Sequence, residues 1–140
     1  MVKLFIGHKG SGKTKKMLEL ANEEANNSKG SIIFIYKDTK VIYQLSYKIR
    51  TICMKDFIHI TNEDEYIGFL FGILSSDNDI ETIYIDGIMR HTDFEISNVP
   101  SFINKLKDIS RDYGINFVAS ISAELEELTG VNFDGIELLN

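Results

Sequence analysis

The sequence predicts an α/β protein: a three-layer fold around a mostly parallel central sheet of about five strands. Three observations predict it. Short apolar runs alternate with stretches of helical periodicity along nearly the whole chain, which is the pattern of repeated strand–helix units. One run, Ile32-Ile33-Phe34-Ile35-Tyr36, is continuously apolar rather than alternating, as suits a strand buried on both faces of a parallel sheet. The first strand also passes into the first helix through Gly7-His8-Lys9-Gly10-Ser11-Gly12-Lys13-Thr14, which reads G-x-x-x-x-G-K-[ST].

That junction is the phosphate-binding P-loop, or Walker A, pattern. At average residue usage its four fixed positions recur by chance in roughly 0.5% of chains of this length. Both flanks also match, with Lys3-Leu4-Phe5-Ile6 before it and Met17, Leu18, Ala21 and Ala25 at helical spacing after it. Glycines let the backbone turn with φ > 0 and bring N–H groups close to a phosphate chain. A helix opening near Lys13 adds its unpaired N–H groups and the positive end of its dipole. The phosphate-binding set is therefore Gly7, His8, Lys9, Gly10, Ser11, Gly12, Lys13, Thr14 and Lys15. Lys13 is placed against the β- and γ-phosphates, and the Thr14 hydroxyl is a ligand for Mg²⁺, which takes oxygen donors. His8 lies inside the loop, with a side chain that either meets phosphate or points to solvent.

In chain order, the first helix is expected from about Lys13 to Asn27, stopped by Asn26-Asn27-Ser28-Lys29-Gly30. After the strand at residues 32–36, Lys37 and Asp38 fall at its carboxyl end, and Asp38 reads as a polar turn and helix N-cap. Val41, Ile42, Leu45 and Ile49 predict a second helix, and Phe57-Ile58-His59-Ile60 a short strand. Thr61 is expected to cap a helix whose first turn holds Glu63-Asp64-Glu65 and whose inward residues are Tyr66, Ile67, Leu70, Ile73 and Leu74. Gly68 and Gly72 share one face of it and suggest close packing. Thr82-Ile83-Tyr84-Ile85-Asp86-Gly87 is an apolar strand ending in an acid, and it resembles a Walker B strand, whose aspartate holds the Mg²⁺ hydration shell. Residues 88–99 read as a loop. Pro100 opens a helix with Phe102, Leu106, Ile109 and Tyr113 as its buried stripe and Gly114 as its stop. Residues 115–121 form the last long strand, residues 124–128 a short helix, and residues 136–139 an edge strand.

Composition bounds the function. A chain of 140 residues with 44% hydrophobic and 26% charged residues fits one soluble globular domain. No stretch reaches the length of a membrane span, and the first strand begins at once, leaving no room for a signal peptide. Cys53 is the sole cysteine, so no disulfide framework or thiolate zinc site is expected, and the reading is cytoplasmic. The net charge of −6 argues against a broad nucleic-acid surface, whereas Lys3, Lys9, Lys13, Lys15 and Lys16 crowd the amino-terminal region as a phosphate-attracting field. His8, His59 and His91 have no metal-ligand spacing, and no nucleophile triad is proposed from these positions.

On residues 7–14, with high specificity, and residues 83–86, with low specificity, the chain resembles the P-loop NTPase superfamily in a compact, stand-alone form. It also looks like short bacterial P-loop proteins labelled as ATPases. The resemblance implies binding of a nucleoside triphosphate with Mg²⁺, with Lys13 and Asp86 in catalytic roles and Thr14 and Asp86 as metal ligands. In the branch that includes the RecA-like ATPases, a strand between the P-loop and Walker B strands ends in a polar γ-phosphate sensor. Residues 117–122 match it, with Ser120 or Ser122 as the sensor. That branch usually has a water-aligning glutamate directly after the aspartate, and here the position is Gly87. Asp93 or Glu95 would have to move in from the loop to replace it, and Arg90 is a candidate to stabilise phosphate charge in cis or across a subunit contact. ATP is preferred over GTP because a guanine motif is lacking. Three readings stay open: a slow or partner-stimulated ATPase, a nucleoside or nucleotide kinase resembling thymidine kinase in outline, and a non-catalytic nucleotide-bound module. A protein partner or homo-oligomer is compatible with each.

Overall fold

The computed structural model of the chain describes residues 1–38, 40 and 42–140. In chain order its elements are β1 (Val2–Gly7), α1 (Lys13–Asn27), β2 (Ser31–Tyr36), β3 (Ile49–Cys53), α2 (Glu63–Ser76), β4 (Ile80–Ile85), α3 (Val99–Tyr113), β5 (Asn116–Ser122) and β6 (Ile136–Leu138). The six strands make one sheet in the order β3-β2-β4-β5-β1-β6, and every neighbouring pair is parallel. The strand count exceeds the five expected. The expected strand order holds: β5 lies between β1 and β4, with Leu4 opposite Ala119 and Ile83 opposite Phe117.

Alternate residues of each strand point to opposite faces, and both faces are apolar. On one face Phe5, Phe34, Tyr84 and Val118 pack against α1 through Met17, Leu18, Ala21 and Ala25, the four residues read from its periodicity. Phe34 and Tyr84 stack there with ring centroids 5.7 Å apart. Glu24 of α1 accepts hydrogen bonds from the Tyr84 hydroxyl at 2.7 Å and from Thr82 Oγ1 at 2.6 Å, so the helix is tied to β4 by its polar side as well. On the other face Leu4, Ile6, Ile33, Ile35, Ile83, Ile85, Phe117 and Ile121 are covered by α2 and α3. This is the three-layer α/β arrangement, and it explains why β2 reads as an unbroken apolar run.

The segment between β2 and α2 departs most from expectation. Val41 lies outside the described residues. Ile42, Leu45 and Ile49 do not belong to a helix: residues Ile42–Gln44 make a single 3₁₀ turn, and Ile49 opens β3, opposite Ile32 of β2. Asn22 of α1 satisfies this turn's backbone instead of a helical ladder, donating to the Gln44 carbonyl at 2.9 Å and accepting from Ser46 N–H at 2.7 Å. Asp38 caps no helix; it sits in a bend and pairs with Lys55. Residues 57–60 form turns rather than a strand, with Phe57, Ile58 and His59 exposed. The N-cap of α2 is Asn62, whose Oδ1 accepts from Glu65 N–H at 2.9 Å. Thr61 sits one residue outside and donates from both N–H and Oγ1 to the Glu65 carboxylate at 2.8 and 2.9 Å.

Smaller corrections follow the same logic. Gly68 and Gly72 are exposed, and a Cβ on either would meet nothing within 4 Å, so neither supports close packing. Pro100 is the second residue of α3, which starts at Val99. Tyr113 is 56% exposed and meets Phe71 edge-on at 5.9 Å rather than completing the buried stripe. Gly114 ends α3 with φ 67 as expected. Within residues 88–99 the loop contains two 3₁₀ turns, Ile88–Arg90 and Ile96–Asn98, and the short helix expected at residues 124–128 is one 3₁₀ turn, Leu125–Glu127. Among the described residues no helix is long and apolar enough to cross a membrane.

Candidate functional site

Strands β1, β4 and β5 end side by side at the carboxyl edge of the sheet, the edge at which open α/β sheets take ligands. From β1 the chain turns through residues 8–12 and enters α1 at Lys13. Gly10 (φ 87) and Gly12 (φ 85) hold left-handed backbone that other residues adopt only with strain. At Gly7 an added Cβ would lie 2.9 Å from Ser11 Oγ, which would have to turn aside. Gly12 is the N-cap of α1 and, having no side chain, leaves the first turn of the helix open to a ligand. The Lys13 ammonium folds back over the loop, donating to the Gly7 carbonyl at 2.7 Å, the His8 carbonyl at 2.8 Å and Ser11 Oγ at 3.3 Å. Burial holds Lys13 below the usual lysine range, with the Asp86 carboxylate pulling the other way.

Asp86 follows the last residue of β4 and is 1% exposed. Its carboxylate is built into the site from three sides. Thr14 Oγ1 lies 3.1 and 3.2 Å from Oδ1 and Oδ2, Ser120 Oγ donates to Oδ1 at 3.1 Å, and the Arg90 guanidinium stands 3.8 Å from Oδ2. Ser120 also accepts from the Gly87 N–H at 2.7 Å, which locks the turn after Asp86 onto β5. Thr14 and Asp86, expected as two ligands of one metal ion, and Ser120, one of the two serines expected as a sensor, thus meet at one point of the structure.

Two residues of this site carried no role in the sequence reading. His91, 4% exposed, has Nε2 at 2.6 Å from the Asp86 carbonyl, and its Nδ1 is 2.9 Å from the Tyr66 hydroxyl. A carbonyl only accepts, so Nε2 carries the proton and Nδ1 accepts from Tyr66. Burial pushes the His91 pKa down to about 4, which keeps the ring neutral. Tyr66 is fully buried, and its hydroxyl pKa is raised well above the usual value by burial. The chain Tyr66–His91–Asp86 carbonyl pins the end of β4 to the first turn of α2. The available signal was a histidine five residues beyond a strand-ending aspartate, a spacing that metal-ligand rules do not consider.

Of the expected phosphate set, Lys9, Gly10, Gly12, Lys13 and Thr14 line a cavity of about 570 Å³, with Asp86, Gly87, Arg90, Ser120 and Ser122 on its other walls. Gly7 and Ser11 are not among the lining residues and meet Lys13 instead, through the Gly7 carbonyl and Ser11 Oγ. His8 is exposed and turned to Glu124, Nδ1 to Oε1 3.4 Å, and Lys15 is exposed on α1, so neither lines this cavity. Ser120 is buried against Asp86, whereas Ser122 is exposed at the end of β5 opposite Gly7. Asp93 and Glu95 are not brought to the cavity: Asp93 lines a separate one of about 260 Å³, beside Lys37 and Lys55, and Glu95 caps a 3₁₀ turn.

The arrangement offers two kinds of binding next to each other. The open helix terminus, Lys13, Lys9 and Arg90 suit a polyanion. Thr14 and Asp86 supply hard oxygen donors for a divalent cation. No group of three or more His, Cys, Asp or Glu converges among the described residues, so such a cation would keep water or ligand oxygens in the rest of its shell, as Mg²⁺ commonly does. No protein-family model matches the chain, and no curated protein matches it.

Proposed function

We propose that the chain is a P-loop protein that binds Mg-nucleotide, with ATP as the nucleotide, and that it turns ATP over slowly or only when a partner stimulates it. The observation that carries this reading is the meeting, across one cavity, of the glycine-shaped loop bearing Lys13 with the Thr14–Asp86 pair. Lys13 is the phosphate clamp: an anionic phosphate oxygen is a stronger acceptor than the two loop carbonyls it now holds. Thr14 and Asp86 would hold Mg²⁺, which when bound neutralises charge on the phosphate oxygens. Ser120 and His91 keep Asp86 in place through its carboxylate and its carbonyl. The position of β5 between β1 and β4 supports the RecA-like branch over the kinase–GTPase branch.

Slow turnover rests on Gly87. Among the described residues that line the cavity, Asp86 is the only carboxylate, and its hydroxyl partners already engage it. A second carboxylate to align water is lacking among those lining residues. The same observation favours the non-catalytic module as the second reading, and single-turnover hydrolysis separates the two.

Thermal unfolding with nucleotides, with and without Mg²⁺, tests binding. A ligand at 100 times its dissociation constant adds about 2.7 kcal/mol, which raises the melting temperature of a domain of this size by roughly 6–12 °C. Lys13→Ala removes most of that shift and Asp86→Asn removes its Mg²⁺ dependence. No shift with any nucleotide at millimolar concentration disproves the binding reading, and unaided turnover on the order of 10 s⁻¹ disproves the slow-turnover reading.

A further inference from the structure

Gly87 stands where a glutamate would be expected, and the structure gives that glycine a positive use. A Cβ built on Gly87 would lie 2.3 Å from one terminal nitrogen of Arg90, 2.5 Å from its Nε and 2.8 Å from its guanidinium carbon. The guanidinium is therefore laid flat on the face of Gly87, in space that any side chain at residue 87 would take. The backbone there has φ 71, a conformation that only glycine adopts without strain. From this seat the guanidinium reaches 3.8 Å from Asp86 Oδ2, on the wall of the cavity that also holds Lys13 and Thr14. Arg90 is carried on a short turn whose first residue, Ile88, is fully buried and whose closing bond, Arg90 N–H to the Gly87 carbonyl, is 2.9 Å. The base of the arm is fixed while the side chain as a whole is 41% exposed.

We propose that Arg90 is a gate on the metal position: its guanidinium neutralises Asp86 in the resting protein, competes with the divalent cation for that carboxylate, and passes to the terminal phosphate when the cation arrives. The inference rests on the Mg-nucleotide reading of the site. Its physical basis is a mismatch of commitments. Asp86 is almost wholly buried and held by Thr14 and Ser120, so its charge needs compensation, which Arg90 supplies together with the Lys13 ammonium. The Arg90 contact is longer than a hydrogen bond and is made by a partly exposed side chain, so the guanidinium is readily exchanged. A divalent cation binding between Thr14 and Asp86 repels the guanidinium, and a triphosphate in the same cavity offers it three oxygens with matching fork geometry. Gly87 is the notch that lets the arm lie down, and the arm occupies the space a catalytic glutamate would need.

The test is Mn²⁺ binding to the nucleotide-free protein, followed by electron paramagnetic resonance, in wild type and Arg90→Ala. Removing the competing charge tightens Mn²⁺ binding about fivefold, and Asp86→Asn in the same background abolishes it. Gly87→Ala, which pushes the guanidinium out of its seat, tightens binding in the same direction where circular dichroism shows an intact fold. In parallel, Arg90→Ala loses the preference for Mg-ATP over Mg-ADP in calorimetric titration. Unchanged or weaker Mn²⁺ binding in Arg90→Ala, or none in either protein, overturns the gate. Failure of the nucleotide reading shows separately, as absent nucleotide binding in both proteins while the Mn²⁺ difference persists.

Discussion

The sheet has two sides of opposite character. At the β1–β5–β4 half, Asp86, Ser120 and His91 are buried polar groups, each with a protein partner and all joined into one network. At the β2–β3 half, residues 42–60 are turns and one edge strand, with Tyr43, Tyr47 and Ile58 at 79%, 93% and 72% exposure. The residues from Asp86 to Asp93 run between the two, lining the larger cavity with Arg90 and the smaller with His91, Thr92 and Asp93. The difference teaches what each side buries. Buried polar groups are concentrated around one aspartate, and the adjoining side leaves more of its large side chains in solvent.

The largest contrast is expected between the aromatic layer below the edge and the ring-bearing turns beside it. Phe34 is fully buried and stacked on Tyr84, so Phe34→Ala removes both transfer energy and packing. Chemical denaturation should show a loss of about 3–5 kcal/mol. Tyr47→Ala, at an almost fully solvated ring, should stay within about 0.5 kcal/mol. A comparable loss at Tyr47 would mean that the β2–β3 half is packed far more tightly than its exposure indicates.

The polar network should reveal itself in acid. The folded His91 pKa is about 4, against 6.5 as its ordinary value. Above pH 6.5 the ring is neutral in both states and contributes no pH dependence. As pH falls from 6.5 toward 4 the unfolded chain takes up the proton and the folded chain resists it, so stability is lost across that window and levels off below it. The depression corresponds to about 3 kcal/mol. His91→Gln should remove this component from the difference between stability curves measured at pH 7 and pH 4, while His8 and His59, both exposed, should leave it in place when mutated. A wild-type curve parallel to that of His91→Gln over this range would show that the ring is not held neutral.

The same two halves mark what was legible from residues alone. The stretch from Lys3 to Ala25 was readable because its rules are local: an apolar run, glycines for two left-handed turns, then a helical stripe. Asp86 and Ser120 were readable because each lies at or near the carboxyl end of an apolar strand, and strand order brings those ends together. Residues 42–60 were not. The apolar spacing of Ile42, Leu45 and Ile49 fits a helix, but Asn22 and β2 supply partners from elsewhere in the chain, and pairing with β2 prevails over local periodicity. Tyr66 and His91 were each readable as buried or polar. Their contact joins positions 25 residues apart and exists only because α2 packs beside the end of β4.

Helix α2 belongs to both halves, and its outer face provides the finest test of the comparison. Its first turn is anchored inward: Tyr66 serves the network, and Asn62 with Glu65 closes the end. Its outer face carries Gly68 and Gly72, which the sequence suggested were packing contacts. Both are exposed, neither has a positive φ, and an added methyl would touch nothing within 4 Å. With no steric reason for glycine, the dominant effect of Gly68→Ala is on the unfolded chain, which loses backbone freedom, and on helix propensity. Thermal or urea unfolding should show stabilisation of about 0.5–1 kcal/mol, and Gly72→Ala, made singly, should give a similar amount. Mn²⁺ binding should be unchanged in both, since neither residue contacts the Tyr66–His91–Asp86 chain. Destabilisation by either alanine would mean that this face of α2 is covered in solution, and the open half of the molecule would then have to be redrawn as an interface.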